Sequence, residues 1–137
     1  MVKPDAPPQA FEITVAVKPA DIDGQNHVNN TVYLRWVQEV ATAHWEARAP
    51  ADARDTFGWV VLRHEIDYKT PAGLGDEVVL RTWVGQATRV TFERFTEMRR
   101  ASGQELLSQA RTIWVPVNTA TGKPARVPPE VRALFST

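Results

Sequence analysis

Asp21-Ile22-Asp23-Gly24-Gln25-Asn26-His27-Val28-Asn29-Asn30 gathers two carboxylates, one imidazole and three asparagine carboxamides into ten residues. An amphipathic run follows at once, so these short polar side chains stand where a long helix begins. A carboxylate can act as general base or as nucleophile. The first N–H groups of a helix have no intrahelical partner and carry the positive end of its dipole, so they can hold a developing oxyanion. Together these are the parts an acyl-group hydrolase needs. The plainer alternative is an elaborate helix cap, since Asp and Asn are also good capping and turn residues.

The other candidate chemistries are weak. His27, His44 and His64 are scattered, without an H-E-x-x-H motif, and there is no cysteine, so neither a thiolate nucleophile nor a zinc site of familiar spacing is present. No serine sits in a G-x-S-x-G elbow. Gly73 and Gly75 lie in Pro71-Ala72-Gly73-Leu74-Gly75, which reads as a turn and not as a nucleotide loop. His44 falls on the inward face of the helix and suits a core histidine; Asp21 suits a structural carboxylate.

The elements that must position this motif follow from periodicity. Residues 1–10 contain three prolines and read as a flexible N-terminal tail, leaving 11–137 as a single domain. Strands are expected at 11–17, 59–69, 76–87, 89–100 and 105–118, from β-branched and aromatic runs broken by turn signals. From about Asn30 to Ala49 the period changes: Tyr33, Trp36, Val37, Val40, Ala41 and His44 recur at helical spacing, up to the Ala49-Pro50 step. A loop is expected to about Thr56, and a short helix near the C-terminus. A single helix with one apolar stripe needs a sheet to cover it, which gives an α+β domain: a curved antiparallel sheet wrapped around one long helix. Such a sheet has edges to protect, and dimerisation through one of them would do so.

Composition sets limits. Sixteen basic residues balance sixteen acidic ones, which gives no net basic footprint for nucleic acid. The 43% hydrophobic and 23% charged fractions are those of an ordinary globular protein. No apolar run approaches the roughly 18 residues of a membrane span, and MVKPDAPPQA has no signal-peptide core, so a cytoplasmic protein is expected.

This order of elements, with D-x-D-x-x-x-H-V-N-N-x-x-Y (Asp21, Asp23, His27, Val28, Asn29, Asn30 and Tyr33) at the junction of first strand and helix, resembles the hotdog-fold acyl-CoA thioesterases of the 4-hydroxybenzoyl-CoA thioesterase-like superfamily. The turn YKTPAGLGDEV (68–78) and the ending VPVNTATGKPARVP (115–128) are further likenesses. The resemblance implies a hotdog domain that assembles as a homodimer or a dimer of dimers, with no metal and no cofactor, hydrolysing an acyl- or aryl-CoA to free acid and CoA. It implies Asp23 as base or nucleophile and the Asn30 N–H as the oxyanion donor, with His27 as a third site position. Asn29, Thr31 and Tyr33 are expected around the substrate. Trp59, one of five tryptophans, suits an acyl or aryl pocket or simply the core. Arg89, with Arg94, Arg99, Arg100, Lys69 and Arg111, suits the CoA phosphates or simply a solvated face.

The motif is also similar to the D-x-N-x-H-V-N-N of plant acyl-carrier-protein thioesterases. Here Gln25 stands where that Asn would be, and no acidic residue occurs between Tyr68 and Ala72, so the plant mechanism and carrier-protein substrates are not expected as a whole. The competing class is a non-catalytic hotdog module that binds acyl-CoA. A dehydratase of the same fold is a weaker third, since no differently arranged Asp/His pair is visible.

Overall fold

Alternation in Phe11–Ala16 makes β1 a half-buried strand, with Phe11, Ile13 and Val15 turned to the core and Glu12, Thr14 and Ala16 to solvent. The structure is a computed structural model and describes residues 3–135; the outermost two residues at each end of the sequence, within the tail 1–10 and the domain 11–137, lie outside it. A short 3-10 turn at Pro19–Asp21 leads into the polar motif, and α1 runs from Asn30 to Arg48. Its buried residues are Val32, Tyr33, Trp36, Val37, Val40, Ala41 and His44, the stripe read from the sequence. The Ala49-Pro50 step ends it, with Ala49 extended.

The segment expected as a loop after this step is a second helix, α2 (Ala51–Thr56). Pro50 stands at its N-cap, Asp52 in its first turn and Ala53 is buried, so one turn of helix docks where six residues were too few to show a period. The remaining strands are β2 (Phe57–Tyr68), β3 (Glu77–Ala87), β4 (Phe92–Arg100) and β5 (Leu106–Asn118), before α3 (Pro129–Ala133). β4 begins three residues later than expected, because Thr88 turns the chain: its hydroxyl accepts from the N–H groups of Val90 and Thr91, and its N–H donates to the Thr91 carbonyl.

All pairings are antiparallel, in the order β1-β3-β4-β5-β2. α1 packs on β3 and β1, and the main core joins Trp36, Val37 and Val40 to Leu80, Met98 and Leu107. A second cluster gathers Ala49, Ala53, Phe92, Val127, Val131 and Phe135 around the C-terminal half of α1. Lys3, in the stretch read as a tail, lays its ammonium 3.0 Å from Glu97 on β4 and over the Trp83 ring.

Among the described residues, β2 is an edge strand paired only with β5. Its register shifts between Val61 and Arg63, so Leu62 is the extra residue of a bulge and is 67% exposed; Val60 is 52% exposed. β3 bulges as well, between Val84 and Ala87, and there a Cβ on Gly85 would run into a Glu93 carboxylate oxygen and lie 2.7 Å from the Phe95 ring.

Candidate active site

The polar motif is held from below by Asp21, which is 3% exposed. Its carboxylate accepts from the Lys18 N–H and the Arg35 guanidinium, each at 2.9 Å, and its carbonyl accepts from the Asn29 N–H at 2.8 Å. Burial alone pushes this carboxyl up, but the Lys18 and Arg35 bonds outweigh it and hold Asp21 below the usual carboxylate range. Asp21 is thus the structural carboxylate of the pair.

Asp23 closes the loop above it. Its N–H donates to the His27 carbonyl at 2.8 Å, and its Oδ1 accepts from the N–H groups of Gln25 (2.8 Å) and His27 (3.2 Å). Asn26 takes a left-handed φ of 63° to complete the turn, a conformation Asn tolerates. One oxygen of Asp23 therefore shapes the loop. The other, Oδ2, has no partner among the described residues, and neither does the exposed His27 ring.

Asn29 is the N-cap of α1, its Oδ1 accepting from the Thr31 N–H at 3.0 Å and the Thr31 hydroxyl at 2.9 Å. The Val32 N–H is taken by the Asn29 carbonyl. What remains is the Asn30 N–H, which has no partner among the described residues. A capped helix start with one N–H left open is an anion-ready donor.

The turn after β2 locks onto this helix start. Val28 N–H donates to the Ala72 carbonyl at 2.9 Å, and Ala72 N–H donates to the Tyr33 hydroxyl at 3.0 Å. The Tyr68 hydroxyl donates to the Asn30 carbonyl at 3.2 Å, and its ring meets Tyr33 edge-on. Burial pushes both phenols up, so both stay protonated at neutral pH. The result is a cavity of about 300 Å³ lined by Asp23, His27, Asn29, Asn30, Tyr33 and Tyr68, with Gln25, Lys69 and Thr70.

Of the expected site residues, the structure thus brings together Asp23, His27, Asn29, Asn30 and Tyr33. Thr31 belongs to the cap and does not line the cavity. Trp59 lines a different cavity, nine residues back along β2 from Tyr68, or about 30 Å at the rise of an extended strand. Arg89 is exposed in the β3–β4 turn and lines neither cavity. The other arginines are occupied: Arg100 pairs with Asp76 and Glu105, Arg111 with Glu65 and Glu93, and Arg99 with Glu97. Arg94 corrects the solvated-face reading outright, being 8% exposed and bonded to His44 and Thr82. Sequence reasoning did not single out Tyr68, although it opens the YKTPAGLGDEV turn; nothing local shows that its hydroxyl crosses to a helix start 38 residues earlier.

Residues 17–135 match the family described as the thioesterase-like superfamily. The chloroplastic palmitoyl-acyl carrier protein thioesterase of Arabidopsis thaliana is 32% identical over 133 residues, covering 89% of this chain and 32% of that protein. A chloroplastic acyl-[acyl-carrier-protein] hydrolase of Cuphea viscosissima is 23% identical with the same coverage. The chain spans about a third of the length of these curated relatives. Among solved structures, a thioesterase from Thermus thermophilus complexed with coenzyme A and Zn has a TM-score of 0.80 at 25% identity, over 94% of this chain and 98% of that one. A 1,4-dihydroxy-2-naphthoyl-CoA thioesterase from Synechocystis has a TM-score of 0.79 at 22% identity, over 92% and 95%. The antiparallel sheet with its single long helix is accordingly the hotdog architecture expected from the sequence.

Proposed function

Because the chain belongs to the thioesterase-like superfamily, we propose that it hydrolyses an acyl- or aryl-CoA thioester to the free acid and CoA at the Asp23 cavity. One observation carries the reading: Asn30, whose N–H is open, and Asp23, whose Oδ2 is open, line one cavity together with the unpartnered His27. In this reading the thioester oxygen accepts from Asn30 N–H, which stabilises the charge that develops as the carbonyl carbon is attacked. Asp23 takes the proton of the attacking water and returns it to the thiolate as the C–S bond breaks. In the covalent alternative Asp23 attacks the carbonyl carbon itself, the C–S bond breaks to leave a mixed anhydride and a thiolate that takes its proton from solvent, and water then cleaves the anhydride to the free acid and the Asp23 carboxylate. Tyr68, by donating to the Asn30 carbonyl, holds the peptide group at the helix start. Lys69 at the same cavity is the cation best placed for an anionic substrate, ahead of the already paired arginines.

A homodimer belongs to the same reading. β2 presents a twelve-residue edge unpaired among the described residues, with Val60 and Leu62 exposed, a surface two copies can share by antiparallel pairing about a two-fold axis. That pairing sets the Tyr68 end of one β2 beside the Phe57 end of the other. A second reading of the substrate, an acyl group on a carrier protein, is favoured by the Arabidopsis and Cuphea relatives.

The test is thiol release from short, medium and long acyl-CoA, benzoyl-CoA and phenylacetyl-CoA, and from acyl-carrier protein, by wild type and Asp23→Asn. Asn keeps the Oδ1 that shapes the loop and removes the charge, so the variant is expected to melt with wild type and to lose about 10²–10⁴-fold in turnover. Faster release from carrier protein than from every CoA ester selects the second substrate. Full turnover by a folded Asp23→Asn refutes the site, and CoA esters that raise the melting temperature without turnover indicate the non-catalytic module.

A further inference from the structure

The second cavity, also about 300 Å³, lies between the C-terminal half of α1 and the ends of β2, β4 and β5. Trp45, Trp59, Phe92 and Trp114 are among the residues that line it, with Trp59 edge-on to both Trp45 and Phe92. Two features do not suit a plain apolar void. Arg54, Arg94 and Arg132 line the cavity, and no Asp or Glu does. Arg94, 8% exposed, has no carboxylate within ion-pair distance among the described residues.

The partners Arg94 does have are neutral. One guanidinium nitrogen, Nη1, donates both to His44 Nδ1 at 2.9 Å and to the Thr82 hydroxyl at 3.1 Å. Since arginine only donates, His44 Nδ1 must accept, which fixes the imidazole as its neutral Nε2–H tautomer. Burial and the nearby Arg94 push His44 down to about 3, so it stays neutral. Nε and Nη2 of Arg94 have no partner among the described residues. These two nitrogens form the side-on edge of the guanidinium, whose parallel N–H groups match the two oxygens of a carboxylate. A buried cation without a counter-ion is costly, and an anion at that edge would relieve the cost.

We infer that this aromatic cavity is a second ligand site, taking an apolar carboxylic acid as its anion, with the carboxylate on Arg94 Nε and Nη2 and the apolar body among Trp45, Trp59, Phe92 and Trp114. The inference stands on this cavity alone and does not require the thioesterase reading. An apolar acid is nonetheless what thioester hydrolysis releases, so the class of ligand matches the class of product.

Tryptophan fluorescence and calorimetry at pH 7, with octanoate and phenylacetate against octanol and 2-phenylethanol, test the site. At least one acid is expected to bind at least tenfold more tightly than its alcohol. Arg94→Met, of similar length and without the charge, is expected to lose that preference while still binding the alcohol, which reports an intact cavity. Should Arg94→Met fail to fold, Arg94→Lys, which keeps the charge and loses the paired N–H edge, is expected to weaken the acid severalfold and the alcohol little. Asp23→Asn is expected to bind the acid like wild type, whatever its turnover. Acid and alcohol binding equally, neither acid binding, or acid affinity lost in Asp23→Asn would each overturn the inference.

Discussion

The Tyr68 hydroxyl donates to the Asn30 carbonyl at 3.2 Å, joining the last residue of β2 to the first residue of α1. This bond fixes the orientation of a peptide group next to the open Asn30 N–H. Tyr68→Phe keeps the ring against Tyr33 and removes only the donor. One neutral hydrogen bond is worth about 1 kcal/mol, so turnover is expected to fall about fivefold with little change in melting temperature. Thiol-release kinetics beside a thermal scan decide it; an unchanged kcat would detach Tyr68 from the site.

Asn29 serves the helix through one oxygen that accepts twice from Thr31. Asn29→Ala is expected to cost about 1 kcal/mol in chemical denaturation, the usual loss for a cap. Asn29→Asp, which keeps the acceptor, should recover most of it. Equal stability of wild type and the alanine variant would mean that the packing of α1 supplies all of its N-terminal order.

His44 makes stability depend on pH. It stacks on Phe11, meets Phe135 edge-on and accepts from Arg94, with Arg48 also near, and burial and Arg94 lower its pKa to about 3. The unfolded chain binds this proton near pH 6.5, and the folded one resists until far lower. Its contribution is therefore complete above pH 6.5 and is lost as pH falls towards 3, at up to about 1.4 kcal/mol per pH unit. His64, lowered by burial beside Thr112, adds in the same direction. Denaturation at pH 7, 6 and 5 should show the decline, and His44→Gln, which can still accept from Arg94, should flatten it. An identical slope in the variant would assign the effect elsewhere.

The exposed bulge of β2 bears on assembly. If two copies pair through this edge, Val60→Lys with Leu62→Lys places four like charges across the join and should give a monomer by sedimentation with its circular dichroism spectrum retained. A wild-type protein that already sediments as a monomer would remove the edge pairing.

Periodicity carried most of the fold: the stripe from Val32 to His44, the alternation of Phe11–Ala16 and the proline after Ala49 each act within a few residues. α2 escaped because six residues show no period. The cap and the Asp23 loop were legible because Asn and Asp bond to backbone next to them in sequence. Tyr68 and Arg94 were not, because their roles depend on partners 38 and 50 residues away. Arginines at the strand positions 94, 99 and 100 look alike in sequence; only the sheet decides that Arg94 goes in, between His44 and Thr82, while Arg99 and Arg100 meet acids at the surface.

Ala72 is bonded both ways, its carbonyl to Val28 and its N–H to Tyr33. These two bonds span about forty residues, so the turn between β2 and β3 must be in place for the helix start to keep its shape. The Asp23 cavity is therefore expected to form late in folding and to come apart early. In hydrogen exchange, the amides of Val28 and Ala72 should open together as one cooperative unit, below the free energy of global unfolding. Their joint protection would measure the fraction of molecules whose site is assembled, independently of whether the molecule as a whole is folded.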